Sequence, residues 1–532
     1  MNAQIERTGE TDSSREISPA GRWLALTAAL LGWMFDGAEM GLFSMVGRPA
    51  IQDLLGFAAA PSREQEDQTR FLFGVVIAMF LVGAATGGVL FGWLGDRIGR
   101  VRAMSLSVLT YALFTGLCGI VTTPLQIAAL RFIAALGMGG EWSLGVALVM
   151  EVWPNRSRAL MAGLIGAAAN VGYMLVGVVG LMLSAILGNL GGWLLGWGLP
   201  SELVDRLLAN QGWRVLMILG ATPALLTFFF RLFVPESERW KQQHGRGATS
   251  HWQTRDLAGV LVGALGPALI VYVWSIRAWP AHWGTTHIVL ARVSATILGL
   301  LVATAGYTFP VARYLRRHAL SGTAQAGARP IIGRMLLAAG LSGVALLGTW
   351  GSTQWAAAWA NQLTGGQFNS KEFTQIWLAV GACVGTIGAA LLGDWLGRRA
   401  TYVALCAMSL ISALYLFLGN DAYGTRFLVS CFAAGVCTAS FYGWLPLYLP
   451  ELFSTSVRAT GQGFGFNFGR IIAAVGALQT GILFQGNYVF ELWGWSISGG
   501  YPLACSAMSL IYLLGPLLIS LAPETRGRPL PD

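Results

Sequence analysis

Along most of the chain, apolar residues run on for twenty or so positions without the regular polar interruptions of a half-buried helix or strand. A helix that crosses a bilayer needs about 20 such residues. By that measure the sequence predicts about fourteen spans. Six come first, near 22–46, 71–94, 103–121, 125–152, 158–186 and 213–234. Two follow near 257–277 and 289–313, and six more lie near 331–354, 373–393, 400–419, 426–449, 459–485 and 502–522. The expected organisation is a tail over 1–20, a six-helix bundle over 21–234, a linker with a two-helix insertion over 235–330, a second six-helix bundle over 331–522 and a tail over 523–532. The fold class is therefore all-α, a polytopic membrane protein.

Composition supports this reading. Hydrophobic residues make up 55% of the 532 and charged residues only 11%, against about 25% charged in soluble chains. The 70 glycines suit helices that approach closely in lipid. A net charge of +9 does not point to nucleic acid, because the basic residues sit in short loops between apolar runs, where the positive-inside rule places them. The six cysteines lie in apolar stretches without a CxxC pair, so packed thiols are expected and neither a disulfide framework, a metal nor a cofactor. Residues 1–20 carry both charge signs and the first apolar run is too long for a signal peptide, so it reads as a retained helix. Arg97, Arg100 and Arg102, then Arg156 and Arg158, then Arg239, Lys241 and Arg246 fall on one side of the predicted spans. Both termini are thus expected in the cytoplasm, with the protein in the inner or plasma membrane.

The chain also repeats itself. Gly-Asp-Arg-Ile-Gly-Arg at 95–100 recurs as Gly-Asp-Trp-Leu-Gly-Arg at 393–398, and Asp96 matches Asp394 at an offset of 298. Glu151 with Arg158 recurs as Glu451 with Arg458, and Gly163 and Asn170 fall on Gly463 and Arg470, at an offset of 300. Each half closes on a similar motif, Pro235-Glu236-Ser237 and Pro523-Glu524-Thr525. Duplicated halves are what transporters use to build alternating access around a midplane site.

These residues carry a resemblance. Gly92-Trp93-Leu94-Gly95-Asp96-Arg97-Ile98-Gly99-Arg100 resembles the loop 2–3 signature of the major facilitator superfamily, and the likeness extends over nearly the whole chain. Pro235 to Trp240 and Pro523 to Gly527 resemble sugar-porter closing motifs. Gly139-Gly140-Glu141-Trp142, Glu151-Val152-Trp153-Pro154 and Arg458-Ala459-Thr460-Gly461 look like the sialate:proton symporter group, in which bacterial sialate carriers also have two extra central spans. The resemblance implies two pseudo-symmetric six-helix bundles plus the insertion. It also implies a gating network of Asp96, Arg97, Arg100, Glu151 and Arg158, repeated by Asp394, Arg398, Glu451 and Arg458, that closes one face and breaks when the halves rock. The bland alternative is plain positive-inside topology with Asp as a turn former.

Charges inside spans are costly and mark a pathway or relay. Five stand out: Asp36, Glu39, Arg131, Glu141 and Arg470. Asp36 and Glu39, three residues apart, share a helix face. The stretch from Gly32 to Gly41 resembles the sugar-porter first helix, whose Asp carries the coupling proton and pairs with an Arg on helix four; Asp36 and Arg131 stand at the matching places. Proton coupling is therefore expected at Asp36, ahead of Glu39, with Arg131 and Glu141 alongside. A static ion pair is the alternative. Arg470 lies about ten residues into its predicted span, roughly 15 Å deep, and its repeat partner is the neutral Asn170. A substrate carboxylate held by its planar fork would compensate the charge; a protein acid such as Asp36, Glu39 or Glu141 would do so too. Asn467, Gln462, Asn170, Tyr173 and Trp142 are the accompanying candidates for substrate contact.

The expected function is proton-coupled symport of a small organic anion, sialic acid or another monocarboxylate, by alternating access. The partners are a small solute, protons and the lipid bilayer, with a monomer expected and no nucleic acid. A neutral sugar is the second transport reading, because the closing motifs also suit sugar porters; Arg470 favours the anion. A non-transporting nutrient sensor is a third, disfavoured by short tails. No Walker motif, nucleophile elbow or metal-ligand set appears, so the chain is not read as an enzyme.

Overall fold

A computed structural model describes residues 18–57, 61–223, 226, 229–230, 233–320, 328–483, 489–492, 495–498 and 500–531. The tail expected over 1–20 lies outside these residues up to position 17, and the sixth predicted span, 213–234, lies partly outside them. The N-terminal half comprises α1 (Pro19–Leu54), α2 (Arg63–Ile98), α3 (Arg100–Leu117), α4 (Pro124–Val152), α5 (Arg158–Gly196) and α6 (Ser201–Leu219). After a short α7 (Glu238–Gly245) come the two insertion helices, α8 (Leu257–Ser275) and α9 (Thr285–Leu320). The C-terminal half holds α10 (Ala328–Gly351), α11 (Ala356–Leu363), α12 (Ser370–Leu396), α13 (Arg398–Leu418), α14 (Thr425–Thr438), α15 (Phe441–Tyr448), α16 (Arg458–Asn467), α17 (Arg470–Leu483), α18 (Tyr501–Ser509) and α19 (Gly515–Ser520).

Local sequence explains several boundaries. Capping boxes open α2 (Ser62 with Gln65) and α4 (Thr123 with Gln126), each pairing a side chain with an orphan backbone donor. The repeated Gly-Asp motifs end α2 and α12 at Gly99 (φ 112°) and Gly397 (φ 98°). That backbone is open to glycine without strain, so the next helix starts one residue later.

Among the described residues, eleven helical segments are long and apolar enough to cross a membrane, so fourteen uninterrupted spans are not what they show. α1 is 36 residues long but carries Arg22, Asp36, Glu39, Arg48 and Asp53 and is not among the eleven. The predicted span 459–485 is broken at Phe468–Gly469 into α16 and α17. A two-stranded antiparallel hairpin, β1 (Val489–Leu492) with β2 (Trp495–Ser498), departs from the all-helical expectation.

α2 packs along α4 and α1 along α5 within the first half; α12 and α13 pack on α14 within the second. The halves meet along two seams, α2 against α16 and α17, and α5 against α12 and α15. At the first seam a Cβ on Gly88 would strike the Gly463 carbonyl and the Asn467 amide, so only glycine admits this approach. The insertion lies over that seam. α8 packs on α2 and α17, and α9 on α10 and α16. The Tyr307 hydroxyl of α9 is 2.7 Å from that of Thr86 on α2. Beside the second seam, α5 and α12 leave Leu175, Val178, Met182, Trp377, Val380 and Val384 exposed.

Candidate functional site

Between the halves lies a cavity of about 140 Å³, built from α1, α4 and α5 on one side and α10, α12, α14, α15, α16 and α17 on the other. Asp36, Trp142, Asn170, Tyr173 and Arg470 line it. Gln462 and Asn467 do not. The Gln462 amide donates to the Ser143 carbonyl, and that of Asn467 to the Gly139 carbonyl at 2.9 Å and to Gly463 O at 3.0 Å. Both amides are spent on tying α16 to α4, because backbone carbonyls exposed by the glycine-rich approach need donors.

The intramembrane charges divide into two groups. Arg131 forms an ion pair with Glu39, not with Asp36. The Thr115 hydroxyl donates to Glu39 at 3.2 Å, and the Arg131 guanidinium lies 4.3 Å from the Phe43 ring and 4.5 Å from that of Phe80. This pair is buried inside the first half, away from the cavity wall. Asp36 instead neighbours Glu141 on α4, and Asp36 Oδ1 and both Glu141 carboxyl oxygens are buried without a hydrogen-bond partner. Glu141 reaches α1 through Gly32, where any Cβ would collide with its Oε1. Two neighbouring buried carboxyl groups repel when both are ionised, so the pair favours holding one proton.

Arg470 opens α17 just after the break and faces the cavity. It is 7% exposed, makes no salt bridge among the described residues, and its Nε and Nη1 are buried without a hydrogen-bond partner. Its guanidinium lies 5.5 Å from the Phe466 ring. Asp36 is the acid that acts on it electrostatically, without an ion pair.

The second site is the end of the bundle that carries the charged loops. Asp96, 1% exposed, accepts from Ala459 N at 3.2 Å, Thr460 N at 2.9 Å and the Thr460 hydroxyl at 2.6 Å, all across the dividing plane. Arg100 lies 3.0 Å from Asp96 and 3.2 Å from Glu151, and donates to the Thr455 carbonyl at 2.6 Å. Glu151 is 2.8 Å from Arg458 and accepts from Ser237 at 2.5 Å. Arg97 points to the linker, donating to Thr254 at 2.8 Å. In the second half Arg398 pairs with Glu451 at 2.6 Å and Thr525 repeats the Ser237 contact at 2.5 Å. Arg158 is buried near Glu451, but its Nε has no partner. Asp394 breaks the symmetry. Its side chain is 53% exposed and, among the described residues, meets only Arg398, at 3.5 Å.

The closing motifs act at the same place. Glu236 accepts from the backbone of Arg100 and Val101, and Glu524 from that of Arg398 and Arg399, so each carboxylate caps the helix that follows the Gly-Asp turn. Burial raises the Glu236 carboxyl above its ordinary range in spite of these bonds. At the shallower Glu524, burial is outweighed by four backbone N–H groups, which hold it below that range.

Trp33, Tyr442, Phe466 and Gln354 also line the cavity, beyond the residues to which the sequence points. Trp33 precedes Asp36 by three residues, a spacing that shares a helix face, and Phe466 precedes Arg470 by four across the break. Trp444, a further in-span tryptophan, lies elsewhere and donates to the Arg398 carbonyl at 3.1 Å.

Comparison with known proteins places these features in context. Residues 24–260 match the family described as "Sugar (and other) transporter". The chain is 22% identical to the cis,cis-muconate transport protein of Acinetobacter baylyi, over 92% of this chain and 94% of that one. It is 21% identical to the sialic acid transporter NanX of Escherichia coli, over 94% and 95%. Its fold is similar to that of the proton:xylose symporter XylE of E. coli, with a TM-score of 0.62 and 16% identity over 96% of this chain and 97% of that one.

Proposed function

Because the chain belongs to the major facilitator superfamily of membrane transporters, we propose that it carries a small organic anion together with a proton by alternating access. The observation that supports this reading is Arg470. A buried guanidinium that faces the central cavity with Nε and Nη1 unpartnered suits a carboxylate, and a neutral hexose needs no such cation. Two relatives are named for organic acids, muconate and sialic acid.

In this scheme Asp36 and Glu141 hold the coupling proton beside the cavity, while Glu39 and Arg131 form the static ion pair that fixes α1 on α4. Arg470 holds the substrate carboxylate, with Asn170, Tyr173 and Trp142 beside it. The halves over 21–234 and 331–522 rock about the cavity, joined by the linker and insertion over 235–330. Asp96, Arg97, Arg100, Glu151 and Arg458 hold the charged-loop end shut, and Arg158, Asp394, Arg398 and Glu451 form the repeated set. That end faces the cytoplasm, with both termini, in the cell membrane.

The test is accumulation in proteoliposomes. An inward proton gradient should drive uptake of a radiolabelled acid chosen by thermal-shift screening, and a protonophore should abolish accumulation while leaving exchange. Accumulation that ignores the gradient would remove proton coupling; a preference for neutral sugars over every acid would remove the anion.

A further inference from the structure

We propose that the transported anion is a planar acid, with its carboxylate on an aromatic or conjugated skeleton. The inference rests on the anion reading above and adds the class of skeleton. Its first ground is the ring content of the wall. Trp142 of α4 stacks on Phe466 of α16 with centroids 3.8 Å apart and planes 6° from parallel, so the stack crosses between the halves. Trp33 of α1 extends it at 5.8 Å, and Tyr442 of α15 meets Phe466 edge-on at 6.3 Å. All four rings line the cavity, and Arg470 lies over one of them. Flat faces and polarised edges favour a flat partner over a puckered ring of similar area.

The second ground is a set of buried donors beside the rings. Nε and Nη1 of Arg470 and the indole N–H groups of Trp33 and Trp142 are buried donors without partners. The Asn170 amide nitrogen donates within its own helix, to the Gly166 carbonyl at 2.9 Å. Asp36 Oδ1 is a buried acceptor without a partner at the same wall, which the proton reading already uses. A carboxylate only accepts hydrogen bonds, so it suits these donors. Unpartnered donors beside continuous rings fit a ligand that is an acceptor at one end and an apolar plane at the other.

Purified full-length protein should be titrated with benzoate, phenylacetate and cinnamate, each beside its ring-saturated counterpart, and with benzamide, sialic acid and glucose. At least one aromatic acid should bind about tenfold more tightly than its saturated partner, the size expected of ring–ring contact beyond area alone, and benzamide should bind far more weakly than benzoate. Trp142→Leu should bring each pair to within about twofold. Trp142→Phe, which keeps a ring, should retain the preference and covers the case in which Trp142→Leu fails to fold. Equal binding of flat and saturated acids overturns this inference and leaves the anion reading standing, as does binding of sialic acid alone. Benzamide binding as well as benzoate, or glucose binding with no acid bound, overturns both.

Discussion

The Asp96 carboxylate accepts a hydrogen bond from the Thr460 hydroxyl at 2.6 Å across 364 residues of chain, while its repeat counterpart Asp394 makes no such bond. One copy of the duplicated motif bears on the opposite half and the other does not. Hydrogen bonds to charged groups are worth about 1.5–3 kcal/mol each. Asp96→Asn should therefore shift the equilibrium toward opening of the charged-loop end by roughly tenfold or more, and Asp394→Asn by less than about threefold. Labelling rates of a single cysteine introduced at the Thr455 loop report the shift. Equal effects of the two substitutions would mean that the asymmetry has no functional weight.

Arg470→Lys should weaken binding of the transported acid about thirtyfold or more despite keeping the charge, because an ammonium cannot reproduce the planar fork. The neutral amide of the same acid should lose little further affinity, so the protein-by-ligand cycle isolates the contact. If acid and amide suffer alike from Arg470→Ala, the guanidinium is structural.

The two acids of α1 should separate by phenotype. Asp36→Asn should abolish gradient-driven accumulation, leave exchange and fold normally. Glu39→Gln leaves Arg131 as an uncompensated buried cation, which costs about 3–5 kcal/mol, so thermal stability in detergent should drop sharply. Accumulation by Asp36→Asn against a gradient would move the coupling site to Glu141 alone.

Gly32→Ala places a methyl group where Glu141 Oε1 now lies. The carboxyl must swing away from Asp36, and coupling should fail as it does in Glu141→Gln. Adding Glu141→Ala should restore the stability lost in Gly32→Ala without restoring coupling. A Gly32→Ala protein with wild-type accumulation would show that the two carboxyls need not meet.

Single cysteines replacing Ile98 and Leu396, at the two copies of the Gly-Asp turn, should react with an impermeant maleimide from the cytoplasmic face alone. Reaction of either one from outside overturns the assigned orientation.

The apolar runs made most of the fold legible, because a span in lipid must satisfy its backbone internally and cannot hide its length. Breaks and rotations were less legible. Nothing in Phe468-Gly469 marks a helix end, since glycine is common inside transmembrane helices. Asp36 and Glu39 share a face by spacing, yet one turn of register decides which meets Arg131 and which meets Glu141, and register comes from packing against α4 and α5. Gln462 and Asn467 read as ligand contacts because a polar group in an apolar helix needs a partner; the partners are carbonyls of α4 laid bare by glycine at 139 and 463. The ring stack escaped notice because Trp142 and Phe466 sit 324 positions apart in halves whose facing surfaces the sequence does not state.

The insertion over the α2–α17 seam has a mechanical consequence. Protein sheathes the dividing plane on that flank, whereas α5 and α12 leave Trp377, Val380 and Val384 exposed on the other, where acyl chains would reach it in a bilayer. A rocking motion that widens one flank against hydrocarbon and shears the other against protein meets unequal resistance. On the rocking scheme proposed above, lateral pressure and bilayer thickness would act on the protein from one side, and the lipid around α5 and α12 would set its turnover rate.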